Sequence, residues 1–291
     1  MSTNLEMTKT TTKERPIVKS SEAFPNYTLP CRVFENIDIK NLSQEEFEEL
    51  RKAIPQNGVI LIKNQHLSLT ELVAWTKRFG EPVQLPDGLR FNNFHKEYPE
   101  VTRISNILPN GELLQNYSGA EYWHSDGDFW QAPKNYVFSC LYAEKVPPAG
   151  GETGFADLRL AYNALGQELK DKIKNLRVWV SPKNIPDFEG AKESELPPDA
   201  YHNIAYLHPE TQLMCLYFGC TASDIEGLSR EGGQTLLKEL MTEVEKNEHV
   251  YAHKWSANDL LMWDNTSTMH RSLGGYGNYP RLMYRTQAYA K

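Results

Sequence analysis

From Leu29 onward the chain alternates short apolar runs with polar turns, whereas residues 1 to about 25 carry Thr, Ser and Lys in excess and show no apolar period. A segment with little apolar surface to bury cannot offset the entropy of ordering it. That stretch is therefore expected to be a disordered arm, with one domain over 26–291. Ser43-Gln44-Glu45-Glu46 has the form of a capping box, in which the Ser and Glu side chains each accept the other's backbone N–H. It predicts a helix through Phe47, Leu50 and Ala53, stopped by Pro55. After Gly58, Val59-Ile60-Leu61-Ile62 reads as a buried strand. Ser68-Leu69-Thr70-Glu71 repeats the box, with Leu72, Trp75 and Phe79 on one face and Gly80 closing the helix.

Pro86 to Gly119 is irregular, with turns at Pro86-Asp87-Gly88, Asn92-Asn93 and Pro109-Asn110-Gly111 around one strand, Val101 to Ile107. Further short apolar segments follow at Tyr136 to Ala143, Arg177 to Ser181, Ile204 to Leu207, Leu213 to Phe218, Leu260 to Trp263 and Arg281 to Tyr289. Short strands separated by Pro/Gly turns predict a sandwich or barrel. Two helical stretches, about Leu158 to Asn175 and Arg230 to Glu248, are expected to pack outside it. There is no internal repeat and no second domain boundary.

Composition narrows the classes of function. The 291 residues are 40% hydrophobic and 11% aromatic, enough for a substantial core. A net charge of -7 argues against nucleic acid or an anionic membrane surface as the main partner and favours a small molecule. Cys31, Cys140, Cys215 and Cys220 have no C-x-x-C spacing and are too few for a disulfide framework. Met1 to Lys13 has no apolar signal core, and no run approaches the roughly 18 apolar residues of a membrane span. A soluble cytoplasmic protein is expected, with a homodimer as the default assembly of a soluble enzyme.

The chemistry sits in a few polar positions. Three H-x-D/E pairs occur, where about one is expected by chance. His95-Lys96-Glu97 and His208-Pro209-Glu210 read as solvated turns. His124-Ser125-Asp126 differs, because Tyr122-Trp123 and Phe129-Trp130 surround it with aromatics that can exclude water. In an extended strand residues two apart share a face, so His124 and Asp126 could bind one metal; Asp128, on the same face, is the runner-up carboxylate. The bland alternative is a core His bonded to a nearby Asp. His270, beyond the apolar run Leu260 to Trp263, would be the third ligand, and a structural His at a strand end is its alternative. Arg281 and Arg285 flank an apolar Leu-Met-Tyr, where a buried guanidinium needs an anion. Two imidazoles, one carboxylate and one guanidinium fit a non-haem Fe(II) enzyme using 2-oxoglutarate and O2, since such a triad leaves three coordination positions open.

At this point the chain resembles the taurine dioxygenase-like (TauD/TfdA) family of Fe(II)/2-oxoglutarate-dependent oxygenases. Trp123-His124-Ser125-Asp126 looks like that family's W-H-x-D, and Pro147-Pro148-Ala149-Gly150-Gly151-Glu152-Thr153 is similar to its P-x-x-G-G-[DE]-T. The block Trp255 to Asn265, then His270, Arg281 and Arg285, matches in order and spacing, and the turn His208 to Thr211 recurs there. The resemblance covers roughly residues 30 to 289. It implies a double-stranded β-helix, a distorted jelly roll with flanking helices. It also implies His124, Asp126 and His270 as catalytic iron ligands, and Thr153 and Arg281 on the distal carboxylate of 2-oxoglutarate. Arg285 matches a position that contacts a substrate anion.

The implied reaction is hydroxylation of an unactivated C–H bond of a small anionic metabolite, with release of succinate and CO2; desaturation or epoxidation are the alternatives within the class. Ala120 stands where taurine dioxygenase has a substrate-contacting Asn, and no counterpart of its sulfonate-binding His appears between Gly80 and Pro99. Taurine is therefore not the expected substrate. Asn116 and Tyr117 are expected at the substrate mouth, with Phe129, Trp130, Tyr217 and Phe218 around an apolar body. Alternatively, Arg285 could be tied to a protein carboxylate. A non-catalytic metal-binding jelly roll, or a zinc hydrolase with the same three ligands, is the reading from another class.

Overall fold

The computed structural model describes residues 31–85, 95–114 and 119–291. The expected N-terminal arm, the turns at Pro86-Asp87-Gly88 and Asn92-Asn93, and Asn116 and Tyr117 lie outside them. In chain order the strands and helices are β1 (Arg32–Phe34), α1 (Gln44–Asn57), β2 (Val59–Ile62), α2 (Leu69–Lys77), β3 (Gly80–Pro82), β4 (Thr102–Ser105) and β5 (Val137–Lys145). Then come β6 (Thr153–Asp157), α3 (Leu158–Ala164), α4 (Gln167–Ile173), β7 (Arg177–Val180), β8 (Ala200–Asn203), β9 (Ala205–Leu207) and β10 (Met214–Leu216). Last are β11 (Ala222–Ile225), α5 (Arg230–Val244), β12 (Val250–His253), β13 (Leu260–Asp264), β14 (Thr268–Ser272) and β15 (Leu282–Ala290). The architecture is mainly β with flanking helices.

Both capping boxes form, at Ser43/Glu46 and at Ser68/Glu71. Pro55 does not stop α1, contrary to expectation. A Pro this close to the end removes only its own N–H, and the helix runs on to Asn57 until Gly58, at φ +75°, ends it by donating to the Ile54 carbonyl at 2.8 Å. Nor does Gly80 close α2, which ends at Lys77. Gly80 opens β3 instead, where a Cβ would stand 1.8 Å from the Tyr289 carbonyl oxygen, so the close approach to β15 admits only glycine.

The main sheet has the order β1-β2-β13-β5-β15-β3, with β4 also paired to β15. Residues alternate across it as a strand requires. Leu260 and Met262 of β13 face α1 and α2, joining Leu50, Ile54, Leu72 and Trp75. Leu261 and Trp263 face the other way and meet Phe155 and Tyr251 of a second sheet, ordered β12-β6-β14, and Trp255 just beyond β12. The two sheets thus enclose a core between them. A third core joins α3 and α5 to β7 and β10 through Leu158, Val178, Leu216, Leu236 and Leu240.

Other expectations need correction. The helix expected over Leu158 to Asn175 is two, α3 and α4, separated at Leu165-Gly166, and α5 ends at Val244 rather than Glu248. His208-Pro209-Glu210 is not a solvated turn. His208 is fully buried with Nε2 2.6 Å from Asp264 Oδ2, and Glu210 pairs with Arg51. Strands β1, β3, β6, β8, β11, β12 and β14 were not anticipated, and β6 and β14 hold up the site.

Candidate active site

The segment 119–136 crosses β14 before entering β5. His124 and His270 exchange both backbone hydrogen bonds, at 3.1 and 2.8 Å, and Ser125 Oγ donates to the Thr268 carbonyl at 3.0 Å. This bridge, rather than a strand over 124–126, brings the groups together. His124 lies at an isolated bridge, Asp126 begins a turn, and His270 is in the middle of β14 rather than at its end. Donor atoms of His124, Asp126 and His270 all lie within 4.8 Å of one another.

Protonation suits a cation there. The Tyr122 carbonyl lies 2.9 Å from His124 Nδ1 and can only accept, which fixes the tautomer whose Nε2 carries the lone pair. Burial foremost, with the Arg285 guanidinium nearby, pushes the His270 pKa well below the usual imidazole range, so that ring is neutral. Burial would raise Asp126, but the Arg285 guanidinium foremost, with the Ser139 hydrogen bond, outweighs it and holds the carboxyl at about 2. Neutral imidazoles and an ionised carboxylate are the forms that bind metal.

Asp126 is held from several sides. Ser139 Oγ donates to its Oδ2 at 2.7 Å, and Arg285 Nη1 to its Oδ1 at 2.8 Å. Asn265 Oδ1 accepts from the Asp126 backbone N–H and from Trp263 Nε1, both at 2.9 Å, while its Nδ2 donates to the Val137 carbonyl and to Ser139 Oγ. Gln287 Nε2 reaches Ser139 Oγ at 3.2 Å. Sequence reasoning missed these positioning residues. Asn265 had a signal, as a polar residue in the bend between an apolar strand and His270; Ser139 and Gln287, inside apolar strands, had only their polarity.

The runner-up carboxylate, Asp128, is not part of the cluster. It accepts from Thr221 Oγ1 at 2.5 Å, its carbonyl faces His202 Nε2 at 2.7 Å, and burial pushes its pKa up to about 7. It ties the turn to the strands behind it. Arg285 takes the alternative expected for it, a protein carboxylate, namely Asp126.

Thr153 and Arg281 are both buried. Trp255 Nε1 donates to Thr153 Oγ1 at 3.0 Å. Arg281 packs against Gly151, two residues before Thr153, where a Cβ would lie 3.4 Å from Arg281 Nε, and its guanidinium stands 5.8 Å from the Tyr276 ring centre. A buried guanidinium and a hydroxyl around one bend are the chemistry a dicarboxylate needs.

A cavity opens beside the cluster, walled by His124, Asp126, Asp128 and Arg285 together with Val83, Leu85, Ala120, Phe129, Trp130, Ile185 and Phe188. Phe129 and Trp130, expected around the substrate, line this cavity. Tyr217 and Phe218 do not line it: both are buried, Phe218 in the α3/α5 core. Ile185 and Phe188, on short 3-10 turns, gave no sequence signal.

Two imidazole nitrogens and one carboxylate on a β scaffold, beside a partly apolar cavity, form a donor set that suits a mononuclear non-haem iron. The chain matches the family described as "Taurine catabolism dioxygenase TauD, TfdA family" over residues 26–287, and it belongs to that family. It is 32% identical over 267 residues to the alpha-ketoglutarate-dependent 2,4-dichlorophenoxyacetate dioxygenase of Cupriavidus pinatubonensis, covering 86% of this chain and 91% of that one. To the (S)-phenoxypropionate/alpha-ketoglutarate-dioxygenase of Sphingobium herbicidovorans it is 26% identical, covering 88% and 90%. The solved structure of AAD-2 in complex with Mn(II) and N-oxalylglycine aligns with a TM-score of 0.76 at 29% identity, covering 90% of this chain and 95% of that one. The protein is a 2-oxoglutarate-dependent dioxygenase, an oxidoreductase that uses iron(II), 2-oxoglutarate and O2. The zinc hydrolase and non-catalytic readings fall away. Among the described residues no helix is long and apolar enough to cross a membrane.

Proposed function

We propose that His124, Asp126 and His270 hold iron(II), that Arg281 and Thr153 hold the distal carboxylate of 2-oxoglutarate, and that the enzyme hydroxylates a small carboxylate with an aromatic body. The observation that carries the ligand assignment is the convergence of three donor atoms within 4.8 Å, in the protonation states metal binding needs. Residues 26–291 act as one catalytic domain. The two facing sheets support reading its fold as a double-stranded β-helix.

Iron(II) with 2-oxoglutarate and O2 supplies the oxidising chemistry, giving succinate, CO2 and oxidised substrate. The chain's own part is placement. Phe129, Trp130 and Phe188 offer an apolar wall for a ring, and Arg285 offers a cation for its carboxylate. The relatives named for 2,4-dichlorophenoxyacetate and phenoxypropionate support an aryloxyalkanoate. The apolar Ala120 in the cavity wall speaks against taurine.

The test is succinate release from 2-oxoglutarate under Fe(II), ascorbate and O2 across aryloxy acids, amino acids, sulfonates and acyl metabolites. Aryloxy acids should stimulate succinate with a matching hydroxylated product, and taurine should not. Stimulation confined to sulfonates or amino acids would overturn the substrate class.

A further inference from the structure

The Asp126–Arg285 pair links the metal cluster to the cavity. Its Oδ1–Nη1 distance is 2.8 Å, and the two side chains are only 10% and 21% exposed, so solvent screens the pair weakly. The other oxygen, Oδ2, lies 3.6 Å from His270 Nε2. Arg285 also lines the cavity, and its Nε is buried without a hydrogen-bond partner. One guanidinium therefore neutralises a ligand carboxylate while a further donor remains unused. A divalent cation at the cluster would compete with Arg285 for the same carboxylate charge and be repelled by the guanidinium.

We propose that Arg285 couples the two sites: its pairing with Asp126 holds metal affinity down until an anion in the cavity engages the guanidinium, so that metal and anionic substrate bind with positive cooperativity. The proposal rests on the reading of His124, Asp126 and His270 as metal ligands. Linkage makes it reciprocal, since whatever factor the anion adds to metal affinity the metal adds to anion affinity. Arg285 is on this account a positioning and coupling residue as well as a cavity cation.

The test is titration of metal-free protein with Mn(II) alone at pH 7.5, following loss of the free Mn(II) electron paramagnetic resonance signal. Two neutral variants are compared with the native chain: Arg285→Met, which removes charge and hydrogen bond, and Arg285→Gln, which keeps polar contact within reach. Both should bind Mn(II) at least roughly fivefold more tightly than native protein, the low end of ordinary coupling. Loss of structure would loosen binding, so tightening is not what damage produces. Saturating phenoxyacetate should tighten Mn(II) binding in the native protein by a similar factor and have no effect in Arg285→Met.

Native protein that binds Mn(II), with folded variants that bind it equally or more weakly, overturns the coupling and leaves the ligand assignment standing. Saturating phenoxyacetate without effect on native Mn(II) affinity also overturns it. Failure of native protein and of both folded variants to bind Mn(II), with or without phenoxyacetate, overturns the ligand assignment itself, a result distinguishable from the other two.

Discussion

Asp126 is engaged at both oxygens, and the two engagements have opposite consequences. Ser139 orients Oδ2 through a neutral hydrogen bond, itself fixed by Asn265 and Gln287, whereas Arg285 sets a positive charge against Oδ1. Asp126→Ala removes the carboxylate and should abolish substrate hydroxylation, and undiminished product formation would sink the ligand assignment. Ser139→Ala should be milder in stability and plain in metal binding. Asn265 keeps its bond to the Val137 carbonyl, so the fold should hold, but Mn(II) affinity should fall by about 10–100-fold, as when other supports of metal ligands are removed. The Asp126 carboxyl also carries a pH signature. Its folded value of about 2 lies below the roughly 3.9 of an unfolded Asp, so its contribution to stability is complete above about pH 4 and is lost as pH falls towards 2. In metal-free protein the gap in urea midpoint between native and Asp126→Asn should therefore shrink from pH 5 to pH 2.5; a gap constant over that range would show that the pair does not carry this charge.

Elements that bury apolar runs were readable, β15 with Arg285 among them, whereas β6 and β14 beside the cluster were not. Val59 to Ile62 and Leu260 to Trp263 announce themselves because both their faces meet apolar cores. β6 and β14, by contrast, pack Thr153, Gly154, Asp157, Thr268, His270 and Arg271 into strands of five residues, so neither an apolar run nor an alternation survives. Thr153 and His270 were nonetheless recognisable as candidates from motif spacing, while the strands that carry them were not. His124 and Asp126 were legible for a reason that did not hold, since a backbone bridge to His270 and not strand periodicity sets them together. Glycines show the same limit. Gly80 looked like a helix stop, yet only the partner strand shows why no side chain fits. Gly80→Ala must displace the β3–β15 pairing or the backbone, and should cost at least about 2 kcal/mol, read as a lowered urea midpoint with unchanged slope. A variant as stable as native protein would mean that the approach of Tyr289 is not enforced.

At the scale of the molecule, the cluster acts as a clasp between parts of the chain far apart in sequence. His124 and Asp126 come from the segment that crosses the sheet edge, and His270 from a strand of the second sheet, whose ring lies 4.7 Å from that of Trp263 in the core between sheets. The unfolded chain does not bring these residues together, so a metal bound there binds the folded state almost alone and stabilises it by mass action. At 100 times its dissociation constant the gain is about 2.7 kcal/mol. For a domain of roughly 250 residues each kcal/mol is worth roughly 2–4 °C. Mn(II) should thus raise the melting temperature of metal-free protein by about 5–10 °C. N-oxalylglycine, found with Mn(II) in the AAD-2 structure, should add to it, and EDTA should reverse it. Asp126→Ala should lose the Mn(II) shift, whereas Arg281→Ala should keep it and lose the increment from N-oxalylglycine. An increment that survives in Arg281→Ala would place the keto-acid anchor elsewhere, and a Mn(II) shift that survives in Asp126→Ala would mean the cation is held by other residues.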